Sequence, residues 1–108
     1  MANKDFQEWV NNVVLVGRVT SVAEDIVLPS DDVLTRFRIV VPRIKPTTRT
    51  TVDTIDLVAF KPAIQKRAHS LDIDDVVEIE GALRRRFWKA GASVASRVEV
   101  EMSSLRKL

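Results

Sequence analysis

Apolar and polar residues alternate along much of this chain with a period of two, the spacing of strands that show one face to a core and the other to solvent. Residues 34–41 set Phe37, Ile39 and Val41 on one side and Arg36 and Arg38 on the other, and Pro42 ends the run. Residues 52–60 alternate again, with Asp53, Ile55, Leu57 and Ala59 against Thr54, Asp56, Val58 and Phe60. The first strand, Val13–Val19, is apolar enough to be buried on both faces, with Gly17 marking a bend or a close approach. Residues 76–88 read as a long strand bent at Gly81. A turn at 89–92 leads to a closing strand, 94–105, that points Val98, Val100 and Met102 inward.

One segment has helical character. Pro62 stands where a missing N–H costs nothing, and Ile64, Ala68 and Leu71 share a stripe, which predicts a helix over 62–71. Residues 42–51 read as a polar hairpin loop, and 72–75 as a turn in which Asp74 suits left-handed backbone. The order is three strands, one helix, two strands. It predicts an all-β fold, the five-stranded OB (oligonucleotide/oligosaccharide-binding) barrel with one helix between strands 3 and 4. An SH3-like barrel or a partial sandwich accommodates the mid-chain helix less well.

The 108 residues, 45% of them apolar, suffice for one core and predict a single domain over 1–108. Without cysteine the chain has no disulfides, thiolate metal sites or cysteine nucleophiles. No apolar run approaches the ~20 residues of a membrane span, and the first residues, MANKDFQEW, lack a signal peptide's apolar stretch. A cytoplasmic, nucleoid-associated protein is expected.

The net charge of +2 is small, but the charges are segregated. Arg36, Arg38, Arg43, Lys45 and Arg49 fall in 33–52 before any acid intervenes, and Arg84, Arg85, Arg86, Lys89 and Arg97 fall in an acid-free 81–98. The acids gather in 24–32 and 72–80. Such segregation predicts one positive surface, the footprint of a nucleic-acid binder, although ordinary solvated loop charges give the same pattern.

The stretch 83–88 sharpens this. If extended, it places Arg84, Arg86 and Trp88 on one face and Leu83, Arg85 and Phe87 on the other. A row of guanidinium groups ending in an indole suits a flexible polyanion with flat bases: cations meet phosphates and the ring stacks. The same residues also fit a solvated arginine cluster with Trp88 half-buried in a core. Trp9, Phe6 and Phe87 are expected in packing, against the barrel or a second subunit. His69, with no cysteine, second histidine or serine nucleophile to work with, suits a surface or capping role. Asp72, Asp74, Asp75, Glu78 and Glu80 have no pattern that makes them converge on a metal, and no glycine loop cradles a phosphate. Neither an enzyme nor a cofactor is expected.

The stretches NVVLVGR (12–18), TRFRIVVPR (35–43), TIDLVAF (54–60), DVVEIEGALRRRFW (75–88) and RVEV (97–100) resemble the bacterial single-stranded DNA-binding proteins, most of all their actinobacterial branch. The resemblance implies an OB fold, sequence-tolerant binding and protection of single-stranded DNA in replication, recombination or repair, and a homotetramer. It puts Phe60 and Trp88 on two of the family's base-stacking positions. Two further stacking positions, tryptophans in other members, are Lys45 and Thr54 here. The expected site is therefore Arg36, Arg38, Arg43, Lys45, Thr54, Phe60, Arg84, Arg86, Trp88 and Lys89, with less stacking and more charge than usual. Where members carry an acidic, aromatic-tipped tail, this sequence ends SLRKL, so tail-mediated recruitment of repair enzymes is not expected of these residues. The alternative is an OB protein-interaction module of the replication-restart (primosome) type.

Overall fold

The computed structural model describes residues 7–108; Phe6 lies outside them. Its elements are β1 (Val13–Val19), β2 (Glu24–Val27), β3 (Val33–Pro42), β4 (Val52–Ala59), α1 (Pro62–His69), β5 (Val76–Ala90) and β6 (Ser93–Lys107). Strands β1, β5, β6, β4 and β3 pair in that order, and β3 returns to β1 through Arg18↔Val40 and Val19↔Ile39, closing a five-stranded ring. Among the described strands only β4 and β6 run parallel. This is the OB barrel that the element order predicts. The addition is β2, a hairpin arm on β3 from Glu24↔Arg36 to Val27↔Val33, within a stretch read from sequence only as acidic. Its turn rests on Asp31, whose φ of 69° no hydrophobic pattern reveals.

The inward positions of the ring meet in one cluster that includes Val19, Phe37, Ile39, Leu57, Val77, Ile79, Val100, Met102 and Leu105. Helix α1 covers one end of it with Ile64 and Ala68. Gln65 donates to the carbonyls of Val33 (2.9 Å) and Ala59 (3.0 Å), and Arg67 to that of Leu105 (2.9 Å), which fixes the helix across three strands. The helix stops two residues short of the predicted end, because Ser70 turns its N–H and its hydroxyl onto the carbonyl of Arg67. Asp74 adopts the expected left-handed backbone, φ 76°.

Two expectations change. Strand β1 buries only one face: Val14 and Val16 are exposed, since nothing in a single chain covers the outside of the barrel there. The β5–β6 ladder, shifted between Glu80 and Gly81 so that Ser103 has no rung, continues past the barrel as a two-stranded arm. The shift changes the inward parity of β6, so that Leu105 follows Met102 into the core. Beyond Val100, β6 pairs with β5 alone, so Val98 lies on the arm and is exposed rather than inward.

Candidate nucleic-acid interface

The register of four strands builds one continuous outward face. Arg36 and Arg38 of β3 stand opposite Val58 and Asp56 of β4, Val58, covered to 1% exposure, stands beside Glu101 of β6, and the arm adds Arg84, Arg86 and Trp88 opposite Glu99, Arg97 and Ala95. Thr54 and Phe60 continue the outward parity of β4, and both are exposed. Seven of the predicted residues therefore share a face: Arg36, Arg38, Thr54, Phe60, Arg84, Arg86 and Trp88. Trp88 is half-buried, 38% exposed, but it stands on the arm opposite Ala95 and is not part of the barrel's buried cluster. Core packing does not hold for Phe87, which is 63% exposed on the arm's other side.

Three predicted residues lie apart from these. Lys45 is exposed in the loop between β3 and β4. Arg43 follows the parity of Ile39 and Val41 and pairs with Asp53 (2.7 Å) above the barrel mouth. Lys89 falls within β5 opposite Val94, so alternation gives it the side of Phe87 rather than that of Trp88.

The electrostatics differ from the expected bare positive surface. The acids that sequence separates from the arginines return beside them across the strands: Arg36–Glu24 2.7 Å, Arg38–Asp56 2.6 Å, Arg84–Glu101 3.6 Å and Arg86–Glu99 2.8 Å. The face is a lattice of ion pairs. Most of the carboxylates are open to water, so an incoming phosphate can share or displace them cheaply. Glu99 is the exception, with 2% of its side chain exposed. Arg86 also lies over the Trp88 ring, 5.3 Å from its centroid.

Arg97 is the residue that sequence reasoning noted as charge but did not place in the site. It stands opposite Arg86, makes no ion pair among the described residues, and lines a cleft of about 350 Å³ with Arg36, Arg38, Asp56 and Ser21. Its parity, shared with Glu99 two residues on, was the available signal. Elsewhere, Asp25 links β2 to the helix. It accepts from the Thr35 hydroxyl (2.6 Å) and pairs with His69 (2.7 Å), which holds its carboxyl below the ordinary 3.8. The hydrogen bond from Arg43 does the same for Asp53. The acids of 72–80 turn to separate cations, Asp74 to Arg18, Asp75 to Lys107 and Glu78 to Arg106. Trp9, 75% exposed, is largely uncovered by its own barrel.

The fold matches that of the Plasmodium falciparum SSB complex with ssDNA, with a TM-score of 0.76 and 19% identity over 95% of this chain and 98% of that one. Among curated proteins none matches the sequence. The model of the single-strand binding protein family matches residues 10–108, and on that ground, with a closed five-stranded barrel carrying an arginine- and tryptophan-bearing face, the chain belongs to the single-strand binding protein family.

Proposed function

We propose that this member of the family coats single-stranded DNA without regard to sequence and keeps it unpaired and protected during replication, recombination or repair. The observation that carries the reading is the shared face of Trp88, Phe60 and four arginines, which offers aromatic platforms among cations on rigid strands. Bases stack on Trp88 and Phe60 while Arg36, Arg38, Arg84 and Arg97 meet phosphates. Arg43, Lys45 and Lys89, on loops and on the arm's other side, would meet DNA only where it wraps around the protein. Thr54 contributes a hydroxyl where a ring would stack. Contacts of these kinds leave base edges unread, which is why binding tolerates any sequence.

The reading extends to assembly and place in the cell. A homotetramer would cover the two apolar surfaces that one chain leaves open, Val14 and Val16 on β1, and Leu83, Phe87 and Val98 on the arm. The other edge of β1 between Val13 and Val16 has no partner strand among the described residues, so a second copy can pair there. We treat residues 1–108 as one OB domain, supported by the single buried cluster. No described helix is long and apolar enough to cross a membrane, and cytoplasmic, nucleoid-associated action follows from the proposed substrate.

Titration with oligo-dT at low salt tests the reading. Stacked bases should quench Trp88 emission, and an unchanged signal together with no mobility shift would instead favour a protein partner of the primosome type.

A further inference from the structure

We infer that Glu99 is a positioning residue for the DNA face: it ties Arg86 down as a plate behind Trp88, so that Arg86 serves base stacking and does not neutralise a phosphate. The inference rests on the single-stranded DNA reading above and concerns how the work is divided within that face.

The geometry separates Arg86 from the other arginines. Its Nε donates to one Glu99 carboxylate oxygen at 2.8 Å and its Nη2 to the other at 3.4 Å. Glu99 is buried, with 2% of its side chain exposed, whereas the carboxylates paired with Arg36, Arg38 and Arg84 are 59%, 27% and 40% exposed. No buried side-chain oxygen or nitrogen among the described residues lacks a partner, and those of Glu99 are both satisfied by Arg86. Water can replace the guanidinium at Glu24, Asp56 or Glu101, so those arginines can turn to DNA. At Glu99 it cannot. Moving Arg86 to a phosphate would strand a buried carboxylate, a far larger loss than one contact to a flexible strand regains.

Held in this way, the guanidinium stands over the indole at 5.3 Å from the ring centroid. It closes one face of Trp88 and leaves the other for a base, giving the order Glu99, Arg86, Trp88, base. Its charge is balanced by Glu99, so it adds ring orientation and little net attraction for the backbone. Arg97, directly opposite Arg86 and without an ion pair among the described residues, supplies the cation that Arg86 withholds.

The test is a salt series of oligo-dT binding in a Trp9→Phe background, joined to acrylamide quenching of Trp88 without DNA. Glu99→Gln keeps the shape and removes the charge. It should free Arg86 and steepen the slope of log K against log salt by about 0.7, one phosphate on a single strand. Arg86→Met/Glu99→Leu replaces the pair by apolar side chains and avoids a lone buried charge. It should weaken binding about two- to fivefold at every salt concentration, the worth of one cation–π contact, with the wild-type slope. Both variants should raise acrylamide quenching as the second ring face opens. A Glu99→Gln slope parallel to wild type, a double variant flatter by about 0.7, or unchanged quenching would each overturn the inference. Failure of the wild type to bind oligo-dT would sink the DNA reading instead, and the quenching arm would still decide whether Glu99 positions Arg86.

Discussion

Gly81 lies so close to Glu101 that a Cβ built on it would sit 2.1 Å from the Glu101 carbonyl oxygen. The two strands touch there because the ladder shifts at that rung and β5 must bend from barrel into arm. Gly81→Ala should therefore destabilise the protein by about 2–3 kcal/mol, as overpacking against backbone does. Gly91→Ala, in the arm's turn at φ 65° with nothing near its Cβ, should cost only about 1 kcal/mol of backbone strain. Denaturant midpoints of the two variants check the contrast; equal losses would show that the approach at Gly81 relaxes freely.

Trp88→Ala should weaken oligo-dT binding by ~1–3 kcal/mol, with Phe60→Ala at the lower end, because each removes a stacking surface from the arginine-bearing face. Circular dichroism and light scattering confirm that each variant is intact. Normal binding by a folded variant would reassign that ring to packing.

Among the described residues Arg97 has no carboxylate to exchange and Arg84 has only a long, exposed one, Glu101 at 3.6 Å. Arg84→Gln and Arg97→Gln should each flatten the salt dependence by about 0.7, the slope of one phosphate contact. Parallel slopes would put these side chains in solvent.

Stability should depend on pH at the acid end. Asp25 is held below 3.8 by the Thr35 hydroxyl and then His69, and Asp53 by its hydrogen bond from Arg43. Their folded pKa values lie below the unfolded ones, so the unfolded chain takes up protons first as pH falls. The stabilisation is complete above the ordinary carboxylate range near 4 and is lost as pH drops through the depressed values. Asp25→Asn should flatten the pH dependence of the melting temperature between pH 5 and pH 2, by roughly one carboxylate's share. An identical curve would show that Asp25 is not held in solution.

Val14→Lys/Val16→Lys, on the exposed face of β1, should break assembly without unfolding the barrel, which buries neither side chain. Light scattering reads the change; a wild-type monomer at micromolar concentration would remove the tetramer.

The barrel was legible because its signals are local. Alternation in 34–41 and 52–60, Pro62 at the start of α1 and Gly81 at the bend each act within a few residues. The arm was half legible. Parity gave the shared face of Arg84, Arg86 and Trp88, but Val98 was read inward because no local pattern marks where β6 leaves β4. The charge pattern misled for a similar reason. Glu99 and Glu101 sit some fifteen positions along the chain from their arginines and one strand away in space, and a sequence count of acids near arginines cannot see across a ladder. The small strand β2 was missed because its hold depends on Asp25 meeting Thr35 and His69, partners supplied by tertiary structure.

At the root of the arm, Asn11 stands in for a peptide group. Its side-chain nitrogen donates to the Leu83 carbonyl at 2.8 Å and its oxygen accepts from the Leu83 N–H at 2.8 Å, so a side chain adds one rung beyond the β1–β5 ladder. Aspartate at this position would set an acceptor against the carbonyl, leucine would leave both groups bare, and glutamine would overshoot by a methylene. Position 11 is thus restricted in residue identity as tightly as any in the core, although it lies at the surface and buries almost nothing.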